Sequence, residues 1–134
     1  MVHVADLMQR DVRTIAEDAA VTDAIVMLAD GHISALPVLN HASELVGVIS
    51  TTDILAAEAE SGDGPALTRV VTQTQVGDIM SRTPKTIAPD AEVKLAAQEM
   101  LYLDVHRLLV VEGGTLVGII SQSDIVRAVA NGLI

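Results

Sequence analysis

Cysteine, tryptophan and phenylalanine are all absent from this 134-residue chain, and Tyr102 is its single aromatic residue. Without thiols no disulfide can form, so the fold has to rest on burial of apolar surface, and the composition points away from an oxidising compartment. With aromatics at 1% within a hydrophobic fraction of 50%, that core must be assembled from Ala, Val, Ile, Leu and Met. Long apolar runs are missing as well. Glu99, Asp104 and Arg107 interrupt the richest region, well short of the roughly 18 uninterrupted apolar residues of a spanning helix. The opening Met1-Val2-His3-Val4-Ala5-Asp6 has neither a basic nor an apolar leader segment. The sequence therefore reads as a cytoplasmic protein with no membrane partner.

Positive charge is scarce too. Eight Lys and Arg against 18 Asp and Glu give a net charge of −10, which repels the nucleic-acid backbone and argues against DNA or RNA as a partner. Four of the eight, Arg10, Arg13, Arg82 and Lys85, fall in two short segments. These either steer phosphates toward a site or form ordinary solvated surface.

What is present is a repeat. Val4-Ala-Asp-Leu-Met-Gln-Arg10 returns as Val76-Gly-Asp-Ile-Met-Ser-Arg82, a shift of 72 positions (4 to 76). Thr14-Ile15-Ala16 returns as Thr86-Ile87-Ala88, and Leu36 and Val38 return as Leu108 and Val110. One residue is lost near Gly113-Gly114, after which Leu45-Val46-Gly47-Val48-Ile49-Ser50 aligns with Leu116-Val117-Gly118-Ile119-Ile120-Ser121, and Asp53-Ile54 with Asp124-Ile125. One supersecondary unit has been duplicated, and neither copy is large enough to bury its apolar face alone. The repeats span residues 1–60 and 76–134, joined by a linker at 61–75 that contains Ser61-Gly62-Asp63-Gly64-Pro65; Leu67 to Gln75 carries little pattern of its own.

Each copy predicts an α/β unit. A short helix carries Leu7-Met8 or Ile79-Met80, and a brief extended piece covers 14–16 or 86–88. Asp18 and Asp90 then stand where N-caps are expected, before helical spacing at Val21, Ala24, Ile25 and Leu28, or at Val93, Ala96, Ala97 and Met100. Short apolar runs at 36–39 and 45–49, and at 108–111 and 116–120, read as strand pairs, the second closed by the Gly113-Gly114 turn. A last helix covers about 50–60 or 121–130, with Asn131-Gly132 as a stop. The order is β-α-β-β-α, twice.

These residues resemble the tandem CBS-domain pair, or Bateman module, over nearly the whole chain. The resemblance rests on Asp-Leu-Met or Asp-Ile-Met, Thr-Ile, Ala-Leu-Pro37-Val, and Gly-h-Ile-Ser-x-x-Asp-Ile (h apolar), the ends of this set present in both copies in the same order. It implies two βαββα units packed through their sheets with a cleft between them. It also implies dimerisation and a sensor, not an enzyme, binding AMP, ADP, ATP or S-adenosylmethionine. By resemblance, the backbone near Ile15 and Ile87, beside Thr14 and Thr86, meets the adenine edge. His106-Arg107 matches the family's basic pair that meets phosphate. The first copy has Ser34-Ala35 there, so phosphate binding is expected to be asymmetric. Leu109 stands where the pattern has proline, which bears on local strand geometry.

Read directly, Ser50-Thr51-Thr52-Asp53 is a strand-to-helix junction where free N–H groups and the positive helix end suit an anion. Asp53 suits a ribose diol there, with Ser50 and Thr51 at phosphate; Ser121, Ser123 and Asp124 repeat the arrangement. The same Ser-x-x-Asp is also a capping box that needs no ligand, and both readings stand. The histidines His3, His32, His41 and His106 lack metal-ligand spacing, and no nucleophile elbow or Walker motif occurs, so neither a metal nor a catalytic site is expected. Met8 and Met80 read as core in preference to ligand contacts. The leading expectation is a regulatory sensor with an adenosyl ligand, no obligatory cofactor, Mg²⁺ needed only for ATP, and a homodimer passing occupancy to a partner protein. The alternatives are a ligand-free interaction module, or a regulatory piece of a larger enzyme or transporter.

Overall fold

The computed structural model describes residues 1–61 and 74–134, apart from the side chain of residue 61. In chain order the described elements are α1 (Val4–Leu7), β1 (Ile15–Ala16), α2 (Val21–Gly31), β2 (Ala35–Leu39), β3 (Leu45–Ser50), α3 (Thr51–Ser61), α4 (Val76–Ile79), β4 (Thr86–Ile87), α5 (Val93–Leu103), β5 (Arg107–Glu112), β6 (Thr115–Ser121) and α6 (Gln122–Ala130). This is a mixed α/β fold with two three-stranded sheets and six described helices. No described helix is long and apolar enough to cross a membrane. Most of the expected 61–75 linker lies outside the described residues.

Two compact units emerge, and they do not follow the chain in order. A split unit joins Met1–Val12 to Lys85–Ile134, and a continuous unit comprises Arg13–Pro84. Each therefore takes its sheet from one repeat and its short first helix from the other.

Within each unit the sheet has the same plan. β1 pairs parallel with β2, which pairs antiparallel with β3; β4, β5 and β6 do likewise. Gly113 and Gly114 both take left-handed φ, 59° and 83°, as a two-residue hairpin of this hand requires. The first repeat closes its longer turn differently, with Asn40 Oδ1 accepting from the Ala42 and Glu44 amides. Leu109 pairs with Ile119 in the register that Pro37 keeps with Val48, and its N–H donates to the Lys85 carbonyl at 3.0 Å. Loss of proline thus adds a hydrogen bond and leaves the strand in place.

The expected caps at Asp18 and Asp90 are not there. α2 begins after Ala20 and α5 after Glu92, neither with a side-chain cap. The reason is a backbone substitute: the Val21 N–H donates to the Thr74 carbonyl and the Val93 N–H to the Val2 carbonyl, so a first-turn donor is satisfied by a strand-like segment paired alongside. Asp18 instead faces His41 at 3.4 Å on the surface. Reciprocally, the Val4 and Ala5 amides donate to Ala91 and Pro89, and the Val76 and Gly77 amides to Ala19 and Glu17. The repeated aspartates of the Asp-h-Met motif serve the short helices, Asp6 accepting from the His3 amide and Asp78 from the Gln75 amide.

The core of the split unit gathers Val4, Met8, Ile87, Ala96, Met100, Leu108, Val110 and Ile120; that of the continuous unit gathers Ile15, Ala24, Leu28, Leu36, Val38, Ile49, Val76 and Met80. Both methionines are packed, as their spacing predicts. Each lies across a strand glycine: a Cβ on Gly118 would come within 2.7 Å of Met8 Sδ and 2.8 Å of the Gln9 carbonyl, and one on Gly47 within 2.6 Å of the Ser81 carbonyl. Since backbone atoms stand in the way, Gly47→Ala and Gly118→Ala are each expected to destabilise the chain by about 1–3 kcal/mol, read from the urea midpoint; midpoints equal to wild type would contradict the close crossing.

Candidate functional site

In each unit the second long strand runs straight into a helix, and a Ser-x-x-Asp motif occupies the junction. In the continuous unit the Ser50 amide donates to Asp53 Oδ2 at 2.9 Å, the Ser50 hydroxyl to the same oxygen at 3.0 Å, and the Asp53 amide to Ser50 Oγ at 3.1 Å. In the split unit the Ser121 amide donates to Asp124 Oδ2 at 2.9 Å and the Asp124 amide to Ser121 Oγ at 3.2 Å. Both are complete capping boxes, so the local requirement of the helix start is met without any ligand.

A second donor reaches each aspartate from far along the chain. Ser81 Oγ donates to Asp53 Oδ1 at 3.2 Å, and Gln9 Nε2 donates to Asp124 Oδ1 at 3.1 Å. Positions 9 and 81 are repeat equivalents, each just after its buried methionine. The segment that crosses the strand glycine is thereby held against the cap, through paired backbone bonds between Gln9 and Ile119 and between Ser81 and Val48.

The two junctions differ in charge. Asp124 is only 7% exposed and is the one buried charged residue among those described. Arg127 Nη1 lies 3.4 Å from its Oδ1. Arg107 sits across the strand pair from Ser121. Together Gln9, Arg107, Ile119, Ser121, Asp124 and Arg127 line a polar groove of about 550 Å³. The continuous unit has Ala35 and Ala56 where these arginines stand, so its junction offers no cationic side chain of its own at either place.

Of the residues expected from sequence, the structure brings Arg107, Ser121 and Asp124 into this one groove. His106 and Ser123 are exposed and outside its lining. Ile87 is buried in edge strand β4 and Ile15 in edge strand β1, each preceded by its threonine, Thr86 exposed and Thr14 half-buried. Ser50 and Asp53 hold each other, and Thr51 lines a different, apolar groove of about 290 Å³ between α2 and α3, with Ile25, Leu28, Ile33 and Ile54. Arg10 and Arg82 reach the carbonyls of Ala5 and Gly77 beside their own helices.

Sequence reading missed Gln9, Ser81 and Arg127. Arg127 carried a local signal, three positions after Asp124 on one helix face; Gln9 and Ser81 carried none, because their partners are distant in sequence. Removing Asp124 leaves Gln9 and the Ser121 amide without their acceptor, so Asp124→Ala should cost about 2–3 kcal/mol. Ser121→Ala, losing only a cap, should cost about 1 kcal/mol by the same urea titration. Equal costs would mean that the long-range bond contributes nothing.

A family model described as CBS domain matches residues 4–60 and again 76–131. The chloroplastic CBS domain-containing protein CBSX2 of Arabidopsis thaliana is 28% identical over 148 residues, covering 93% of this chain and 62% of that protein. Its solved structure in complex with AMP aligns with a TM-score of 0.82 at 29% identity, covering 98% of each chain. The CBS-domain pair of protein MJ0100, solved with 5′-methylthioadenosine and S-adenosyl-L-methionine, aligns with a TM-score of 0.78 at 25% identity, covering 98% of each. A homoserine O-acetyltransferase of Methanohalobium evestigatum is 27% identical over 128 residues, 95% of this chain but 24% of that enzyme. The chain thus spans less than two thirds of the length of these curated relatives.

Proposed function

Because this chain belongs to the CBS-domain family, with two tandem copies, we propose that it is a non-catalytic regulatory module whose split-unit groove binds an adenosyl ligand bearing a phosphate. The observation that carries this reading is the pair Arg107 and Arg127 beside Asp124 and Ser121. Carboxylate and guanidinium side by side suit a ribose diol next to a phosphate: the diol donates to Asp124, and the phosphate accepts from Arg107 in the fork geometry that arginine favours. The complexes of CBSX2 with AMP and of MJ0100 with 5′-methylthioadenosine and S-adenosyl-L-methionine support the ligand class.

Within that class the charges favour AMP. S-adenosylmethionine brings a sulfonium cation and no phosphate for the arginines. ATP adds negative charge to a chain already at −10, and in this reading it needs Mg²⁺ alongside. The continuous unit, with Ala35 and Ala56, is the weaker phosphate site. The module acts in the cytoplasm as a homodimer that passes occupancy to a regulated partner protein.

A second reading, a ligand-free interaction module or the regulatory part of a larger enzyme, is favoured by two observations. Both capping boxes are satisfied internally, and α5 and α6 expose Leu101, Tyr102, Val126 and Val129.

Thermal denaturation with AMP, ADP, ATP and S-adenosylmethionine separates the readings. AMP at a hundred times its dissociation constant should stabilise by about 2.7 kcal/mol, a shift of several degrees for a chain of this size. Arg107→Ala should weaken AMP about tenfold or more. No shift with any of the four at millimolar concentration would sink the sensor reading in favour of the interaction module.

A further inference from the structure

We propose that Arg127 is exchanged between Asp124 and the ligand, its guanidinium leaving the carboxylate when a phosphate arrives, so that this one side chain selects phosphorylated adenosine over adenosine itself. The inference rests on the reading above, that the groove takes an adenosine ligand, and it assigns the selectivity of that site.

The argument is one of acceptor capacity. A carboxylate offers about four lone-pair positions. Among the described residues, Asp124 Oδ2 accepts from the Ser121 amide, and Oδ1 accepts from Gln9 and from Arg127. A vicinal diol brings two further donors to a carboxylate with one position open, so one resident donor must withdraw. The Ser121 amide is fixed by the strand-to-helix junction. Gln9 is pinned through its backbone, donating to Ile119 at 2.8 Å and accepting from it at 2.9 Å. Arg127 holds on at the longest distance, 3.4 Å, through a long side chain that is 64% exposed. It is the donor that gives way.

Where the guanidinium then goes decides the selectivity. Arg127 lines the same groove as Arg107, so a phosphate there receives it and restores its ion pair. A ligand with the diol but no phosphate evicts it and returns nothing. Removing Arg127 should therefore act in opposite directions on the two ligands, which loss of a merely structural contact would not do.

Isothermal titration calorimetry of the full chain with AMP and with adenosine tests this, for the wild type, Arg127→Ala and the volume-preserving Arg127→Met. AMP affinity is expected to fall at least about tenfold while adenosine affinity rises by about two- to fivefold. If the wild type binds AMP and both variants weaken the two ligands alike, or change neither, the exchange is overturned and the groove reading stands. If the wild type binds neither compound, the groove reading falls and takes the exchange with it.

Discussion

The contact on which each unit depends is the crossing of a methionine-bearing segment over a strand glycine. At Gly118 and Gly47 there is no room for a methyl group, because the Gln9 and Ser81 carbonyls already stand within 2.8 and 2.6 Å of where one would be. The close approach lets two backbones pair in register, packs Met8 and Met80 into their cores, and delivers Gln9 and Ser81 to the capping aspartates. Each core is closed by a helix from the other repeat. A duplicated sequence that cannot bury its face alone has solved the problem by exchanging its first helices.

The same geometry gives the capping aspartate two kinds of work. Asp124 satisfies the first turn of α6 with one oxygen and turns the other toward Gln9, Arg127 and the groove. Burial makes that carboxylate costly unless it is fully partnered. The three donors therefore explain how a 7% exposed charge is retained in a small core otherwise built from aliphatic side chains. They also leave it able to trade its most exposed partner without exposing the helix start. Capping uses one oxygen of Asp124 and leaves the other facing the groove, which accords with the sequence reading that one aspartate can serve both a cap and a ligand.

Much of this was legible in the chain itself. The 72-residue repeat, the strand pairs, the Gly113-Gly114 hairpin and the Ser-x-x-Asp junctions all have local signatures, and each lies where its signature places it. The caps at Asp18 and Asp90 were misread for a physical reason: the local code assumes that a helix start needs a side chain, and here paired carbonyls of Thr74 and Val2 supply the need. The exchange of first helices, and with it the roles of Gln9 and Ser81, had no local signal. Pairing across 115 residues, as for Gln9 and Asp124, or across 28, as for Ser81 and Asp53, is set by which surfaces fit, and two copies of one motif offer each short helix two nearly equivalent sheets.

Duplication also shows where function can diverge without disturbing the scaffold. The glycine crossings, buried methionines and capping boxes are the same in both units, and they sit in core or backbone positions where change is costly. The differences fall on side chains that reach past the cap: Gln9 against Ser81, Arg107 against Ala35, Arg127 against Ala56. Alanine at 35 and 56 fits its unit's packing as well as the arginines fit theirs, because Arg107 and Arg127 project from exposed positions of a strand end and a helix face. At the two arginine positions the difference between the units is one of charge. Two arginines on one junction of a strongly acidic chain, with alanine at both places in its twin, make that junction the more favourable of the two for an anion.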